Sequence, residues 1–259
     1  MIFLQIEVKQ QNYLLCADSI DELLAYQEPT ITSSSSKYVE GIINYKNSVI
    51  PLISIRKLLD FQSFIDEQRE LIAKVQTQHI AWVKDFEHSL NTGEKFTKAL
   101  DPHKCALGQW IDDKLDCLRC NNNGFIDILS KEVVEYHDSL HQDGKLFLEN
   151  SDLPKEKKIA IIEDHAANTI KGLKHIDSEI YKLTSAFEQI IILSHNGIKF
   201  GLVVDKIDKT HELDAKSYES NTKNLSQSSK YIQFLDHYEI NSKLMFSIKF
   251  TPELDGLFK

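Results

Sequence analysis

The sequence has no basic run, no long apolar run and few cysteines, and each shortage closes off a class of function. Against 39 Asp and Glu there are 30 Lys and Arg, a formal net charge of -9. An acidic chain without a basic stripe is a poor partner for nucleic acid or for an anionic membrane. Spanning a bilayer needs about 20 consecutive apolar residues, and no stretch reaches that length. Residues 1–7, MIFLQIE, lack both a basic n-region and a small-residue cleavage site. They read as a strand, and the expected location is the cytoplasm. The four cysteines, at positions 16, 105, 117 and 120, are too few for a disulfide framework in a chain of 259 residues. A Gly-rich phosphate loop is also missing, which argues against a nucleotide-handling enzyme.

What is present is enough to fold. Hydrophobic residues make up 42% of the chain, which excludes global disorder and allows one large domain or two ordinary ones. Residues 2–16 alternate with period 2, with Ile2, Leu4, Ile6 and Val8 on one parity and a turn expected at Gln10-Gln11-Asn12. Further strands are expected within 38–45 and 49–54, and Pro51 places the second of these at an edge or bulge. From about residue 66 the period becomes 3.6. Leu71, Val75, Trp82 and Phe86 mark one face of a first helix. Asn91-Thr92-Gly93 ends it, and Asp101-Pro102 opens the next. A third helix carries Leu129, Val133 or Val134, His137 and His141. Pro154 begins a fourth, a long helix expected to run to Leu183. From about 188 the period returns to 2, with a turn at His195-Asn196-Gly197. The expected organisation is α+β and multidomain: a β-rich part over 1–66, an inserted antiparallel four-helix bundle over 67–186, and a second β-rich part over 187–259 that completes the first.

The chemistry concentrates in the helical segment. His137 and His141 lie four residues apart, so a helix puts both rings on one face, one turn from each other. His79 takes an apolar position on the first helix, and Cys105 opens the second. One histidine on an apolar face is ordinarily a core residue, and one cytosolic cysteine is ordinarily a small buried hydrophobe. Three imidazoles and a thiolate converging in a bundle core would suit tetrahedral zinc, leaving a net charge of about +1.

The motifs H-x-x-W (His79, Trp82), C-x-L-G-x-W (Cys105, Leu107, Gly108, Trp110) and H-x-x-x-H (His137, His141), in this order, resemble the chemoreceptor zinc-binding domain over about residues 70–185. The resemblance implies one zinc per chain held by His79, Cys105, His137 and His141. It also implies a homodimer through the bundle, and sensing of zinc or of oxidants such as hypochlorous acid. His88, His103, His165 and His175 are unmatched by the motif and read as solvated or supporting. Cys117 and Cys120 form a C-x-x-C pair outside it.

The flanking β segments resemble the CheW-like adaptor domain of bacterial chemotaxis. The matching stretches are residues 19–26, 38–44, 49–56 and 201–207. That resemblance implies two small five-stranded β-barrels, and partners that are the chemotaxis histidine kinase, chemoreceptor tips, or both. Where the family has Asn-Leu-Arg-Gly, this chain has Asn44-Tyr45-Lys46-Asn47. Lysine keeps the charge without the guanidinium fork, and asparagine tolerates a left-handed backbone. The expected function is a non-catalytic cytoplasmic adaptor that modulates kinase signalling through its zinc site, with a purely structural zinc as the alternative. A zinc hydrolase is disfavoured because four protein ligands leave no open position, and Asp138 stands where H-E-x-x-H has Glu.

Overall fold

The computed structural model describes residues 1–32, 36–120, 124–149, 151–213 and 229–258. The serine run at 33–35, the asparagine run at 121–123 and most of the polar stretch at 217–229 lie outside the described residues. The side chains of Cys117 and Cys120 do too. The chain divides into two compact units, Met1–Phe64 with Phe187–Lys259, and Ile65–Ala186.

Among the described residues the first unit has ten strands: β1 (Ile2–Val8), β2 (Gln11–Cys16), β3 (Ile20–Ala25), β4 (Val39–Tyr45), β5 (Ser48–Ser54), β6 (Gln189–His195), β7 (Ile198–Val204), β8 (Lys206–Glu212), β9 (Ile232–Ile240) and β10 (Lys243–Phe250). They form two five-stranded sheets, ordered β8-β1-β2-β10-β9 and β3-β6-β7-β5-β4. Among the described residues the outermost strands of each sheet do not pair with each other, so the expected closed barrels are open sheets. The segments before and after the helices interleave: β6 and β7 lie between β3 and β5. Neither β segment can therefore complete its hydrogen bonding alone.

Hairpin geometry follows from left-handed residues at two-residue turns. Lys9-Gln10, Lys46-Asn47, Asn196-Gly197 and Asn241-Ser242 all have positive φ, as type I′ turns demand. The first turn is thus at Lys9-Gln10, one residue before the expected position. β5 is an interior strand, so of the edge or bulge expected from Pro51 the edge is corrected, while the β4–β5 ladder shifts register between Val39 and Gly41. Pairing with β7 begins only at Leu52, so the proline's missing N–H removes no bond on that side, while Pro51 faces Ile42 of β4 on the other. Ile6, Leu15, Ile53, Leu58, Leu193, Phe200, Leu202, Ile248 and Leu254 belong to one apolar core.

A short helix, α1 (Ile55–Leu58), precedes the second unit. The later helices are α2 (Phe64–Thr92), α3 (Ala106–Cys120), α4 (Phe125–Ile128), α5 (Glu135–Glu149), α6 (Lys155–Ser178) and α7 (Ile180–Phe187). A π-helical turn, Leu129–Val134, joins α4 to α5. The last long helix is broken at Glu179, whose N–H closes the final turn of α6 on the carbonyls of His175 and Ile176. On α2 the buried face carries Ile72, Val75, Trp82 and Phe86, with Leu71 only half-buried. Gly93, in the left-handed region, follows its C-terminus. Lys158 donates to the carbonyls of Phe147 (3.1 Å) and Ser151 (2.9 Å). It thereby satisfies an orphan acceptor in the last turn of α5. Among the described residues no helix is long and apolar enough to cross a membrane.

Candidate metal centre

Each of the four predicted residues is placed by a local feature of its own. His79 sits in mid-α2, and its Nδ1 lies 2.7 Å from the Val75 carbonyl one turn back. That bond uses Nδ1 as donor and leaves Nε2 as the lone-pair atom. His141, on α5, has Nδ1 3.1 Å from the Ala99 carbonyl, which again leaves Nε2 free. His137, one turn earlier on α5, points Nε2 at Cys105 Sγ, 3.0 Å away. Cys105 follows a 3₁₀ turn at Pro102–Lys104, started by Asp101 accepting the His103 N–H. The Cys105 sulfur also accepts the Gly108 N–H at 3.3 Å. Such N–H donation favours a thiolate.

The ligand atoms of His79, Cys105, His137 and His141 all lie within 4.8 Å of one another. A tetrahedral zinc with Zn–N near 2.0–2.1 Å and Zn–S near 2.3 Å needs ligand separations of about 3.3–3.7 Å. The four groups are therefore within about 1 Å of closing on a single ion. The three rings are buried, and His79 Nε2 and His141 Nε2 have no hydrogen-bond partner. Buried polar nitrogens without partners are costly, and a cation among them is the partner that the donor set fits.

The electrostatics agree with neutral imidazoles. Burial pushes His137 down to about 2 and His141 to about 4, and in each case a neighbouring histidine adds to the shift. Burial also lowers His79, opposed by its bond to Val75. These rings are thus unprotonated at neutral pH, the form that ligates metal. Burial raises the Cys105 thiol, opposed by backbone N–H groups. A divalent ion beside the sulfur would reverse that balance and favour thiolate.

The other four histidines of the helical unit take carboxylate partners instead. His103 lies near Asp112 (3.0 Å), His88 near Glu94 (3.2 Å), His165 near Asp143 (3.0 Å) and His175 near Glu132 (2.8 Å). Other residues support the four. The Trp82 indole N–H donates to the same Ala99 carbonyl, at 2.9 Å, that lies against His141. A Cβ on Gly144 would stand 2.4 Å from the Trp82 ring, so this glycine makes room for the indole. A Cβ on Gly108 would lie 1.9 Å from the Pro102 carbonyl, so the turn carrying Cys105 requires glycine there. Trp110 donates to Gln68 at 2.9 Å. The tryptophans were visible in the motifs, but a carbonyl such as Ala99 leaves no mark in residue type.

Residues 79–148 match the model of the chemoreceptor zinc-binding domain, a span that opens on His79 and contains all four clustered residues. Residues 3–85 match the model of the CheW-like domain. The chain joins a CheW-like domain to a chemoreceptor zinc-binding domain. Over 80 residues it is 26% identical to the chemotaxis protein CheW of Bacillus subtilis (strain 168), an alignment covering 30% of this chain and 51% of that protein. The chain thus spans about half the length of this curated relative. Among solved structures, the scaffolding protein TtCheW from Thermoanaerobacter tengcongensis aligns at 12% identity and a TM-score of 0.44, covering 96% of this chain and 88% of that one. The cofactor of the chemoreceptor zinc-binding domain is zinc, and the clustered residues could hold one ion.

Proposed function

We propose that this protein is a cytoplasmic chemotaxis adaptor whose contacts with the histidine kinase, and with chemoreceptor tips, are modulated through zinc at His79, Cys105, His137 and His141. The observation that carries the reading is the converging set of buried lone pairs on three imidazoles beside a half-buried thiol. The two domain matches supply the signalling context. The β-rich part, 1–66 with 187–259, serves as the adaptor. The helical part, 67–186, packs as an antiparallel four-helix bundle that pairs with a second copy.

Zinc here would supply charge that holds Cys105 as a thiolate and ties α2, α5 and the start of α3 together. His79 and His141 are oriented by the Val75 and Ala99 carbonyls, in the manner of supported metal ligands. Four protein ligands leave no position for water or substrate, so the site senses rather than catalyses. In the oxidant branch, hypochlorous acid transfers its oxygen to the Cys105 thiolate, giving sulfenic acid and releasing chloride. A Cys105 so oxidised would hold zinc less well, and the tie among α2, α5 and the start of α3 would loosen.

The test is a reconstituted array of receptor, histidine kinase and this protein. Kinase output should change on zinc chelation and on hypochlorous acid treatment, and His79→Ala should be insensitive to both. Output that tracks neither treatment in the wild type would reduce the zinc to a structural role. Sedimentation should give a dimer at micromolar concentration, and a monomer would overturn the pairing.

A further inference from the structure

Phe125, Leu129, Val133, His137 and His141 follow one another at a strict spacing of four. All five are buried, at 0, 0, 0, 1 and 0% exposure. An α-helix cannot keep such a series on one face. Each step of four residues overshoots a turn by about 40°, so His141 would be rotated about 160° from Phe125. The buried stripe of a helix is only about 100° wide. The π turn at Leu129–Val134 supplies the correction. Its one extra residue turns the phase back by about 100°, leaving a mismatch of about 60°, which fits within the stripe. A π turn costs hydrogen-bond geometry and needs outside support.

That support comes from α6, which packs along the π turn and α5. A Cβ on Gly172 would stand 2.2 Å from the Glu132 carbonyl oxygen and 2.8 Å from Val133 Cγ2, so only glycine admits the displaced backbone. One turn on, His175 Nδ1 lies 2.8 Å from Glu132 Oε2 and holds the same residue from its side chain. We propose that the π turn, held by Gly172 and His175, is the phase-setting element of the metal centre. It swings His137 and His141 to the side of Cys105 and His79, and Gly172 and His175 are positioning residues for metal binding. This inference rests on the zinc reading above.

The test uses the full-length protein with cobalt(II) as an optical probe and zinc competition for affinity. Wild type should take up one ion, with a thiolate-to-cobalt band and tetrahedral ligand-field bands. Deletion of Ser130, an exposed residue of the turn, restores the α period. It should abolish the tetrahedral bands while helical circular dichroism persists. Should that variant fail to fold, Gly172→Ala decides. It should weaken binding by about 10–100-fold, the usual effect of losing support behind a ligand, and shift the cobalt spectrum. Leu183→Ala, a buried truncation on α7, should lower thermal stability and leave the spectrum unchanged. Wild-type affinity and spectrum in both turn variants would overturn the inference alone. Wild-type protein that takes up no cobalt would overturn the zinc reading, and this inference with it.

Discussion

In the first unit Ile6, Ile53, Leu58, Leu202 and Ile248 belong to an apolar interior, whereas the helical unit buries His79, His137 and His141 beside its apolar cluster of Trp82, Phe86 and Leu140. Both also bury polar groups, but they satisfy them differently. Arg56, nearly buried, has Nε and Nη2 each 2.6 Å from an Asp205 oxygen, a bidentate pair complete within the protein. Burial holds the neighbouring Glu188 carboxyl well above the usual range, so less charge is buried there than the composition suggests. Among the described residues, His79 Nε2 and His141 Nε2 in the helical unit have no such partner. Under the zinc reading, the first unit should be stable without a metal and the second should depend on one.

The sharpest way to break this contrast is to remove the metal. A ligand present at 1,000 times its Kd stabilises by about 4 kcal/mol. Chelation should therefore lower the melting transition of the helical unit by an amount of that order and leave the strand signal in circular dichroism in place. Loss of the strand signal on chelation would make the two units one cooperative body. The converse change is Leu202→Ala, a fully buried residue of the apolar core. It should cost about 2–5 kcal/mol in chemical denaturation without altering zinc content.

Acid should separate the units further. An unfolded imidazole titrates near 6.5, whereas buried His137 and His141 are pushed to about 2 and about 4. Between these values the unfolded chain binds more protons, so metal-free protein should hold its full helical stability above about pH 6.5 and lose it as the pH falls toward 4. Thermal melts of chelated protein at stepped pH check this, and a flat profile would contradict neutral burial of the rings. The smallest effect belongs to Trp82→Phe, which deletes the indole N–H bonded to Ala99. One lost hydrogen bond is worth about 1 kcal/mol. Zinc affinity, measured by chelator competition, should fall several-fold with stoichiometry unchanged.

Legibility in the sequence followed residue type and period. His79, Cys105, His137 and His141 could be read because ligand chemistry and helical spacing are both local, and the structure brings all four together. The strands could be read from alternation, but their order could not. β6 and β7 insert between β3 and β5 through pairing across the whole helical unit, which no local pattern encodes. Pro51 misled because an edge and the unpaired start of an interior strand look alike locally. Barrel closure was implied by resemblance alone. The break at Glu179 falls in a stretch of good helix formers, where tertiary packing overrides propensity. The four-residue series from Phe125 was in plain view, yet a few turns of it look like an ordinary helical face, and only the full series requires the π turn.

The most direct test of the central claim is zinc per chain, by elemental mass spectrometry, on protein purified without added metal. About one zinc per chain is expected in the wild type, with loss of most of it in Cys105→Ala. Wild-type protein free of zinc, or a Cys105→Ala variant that retains a full equivalent, would contradict the claim.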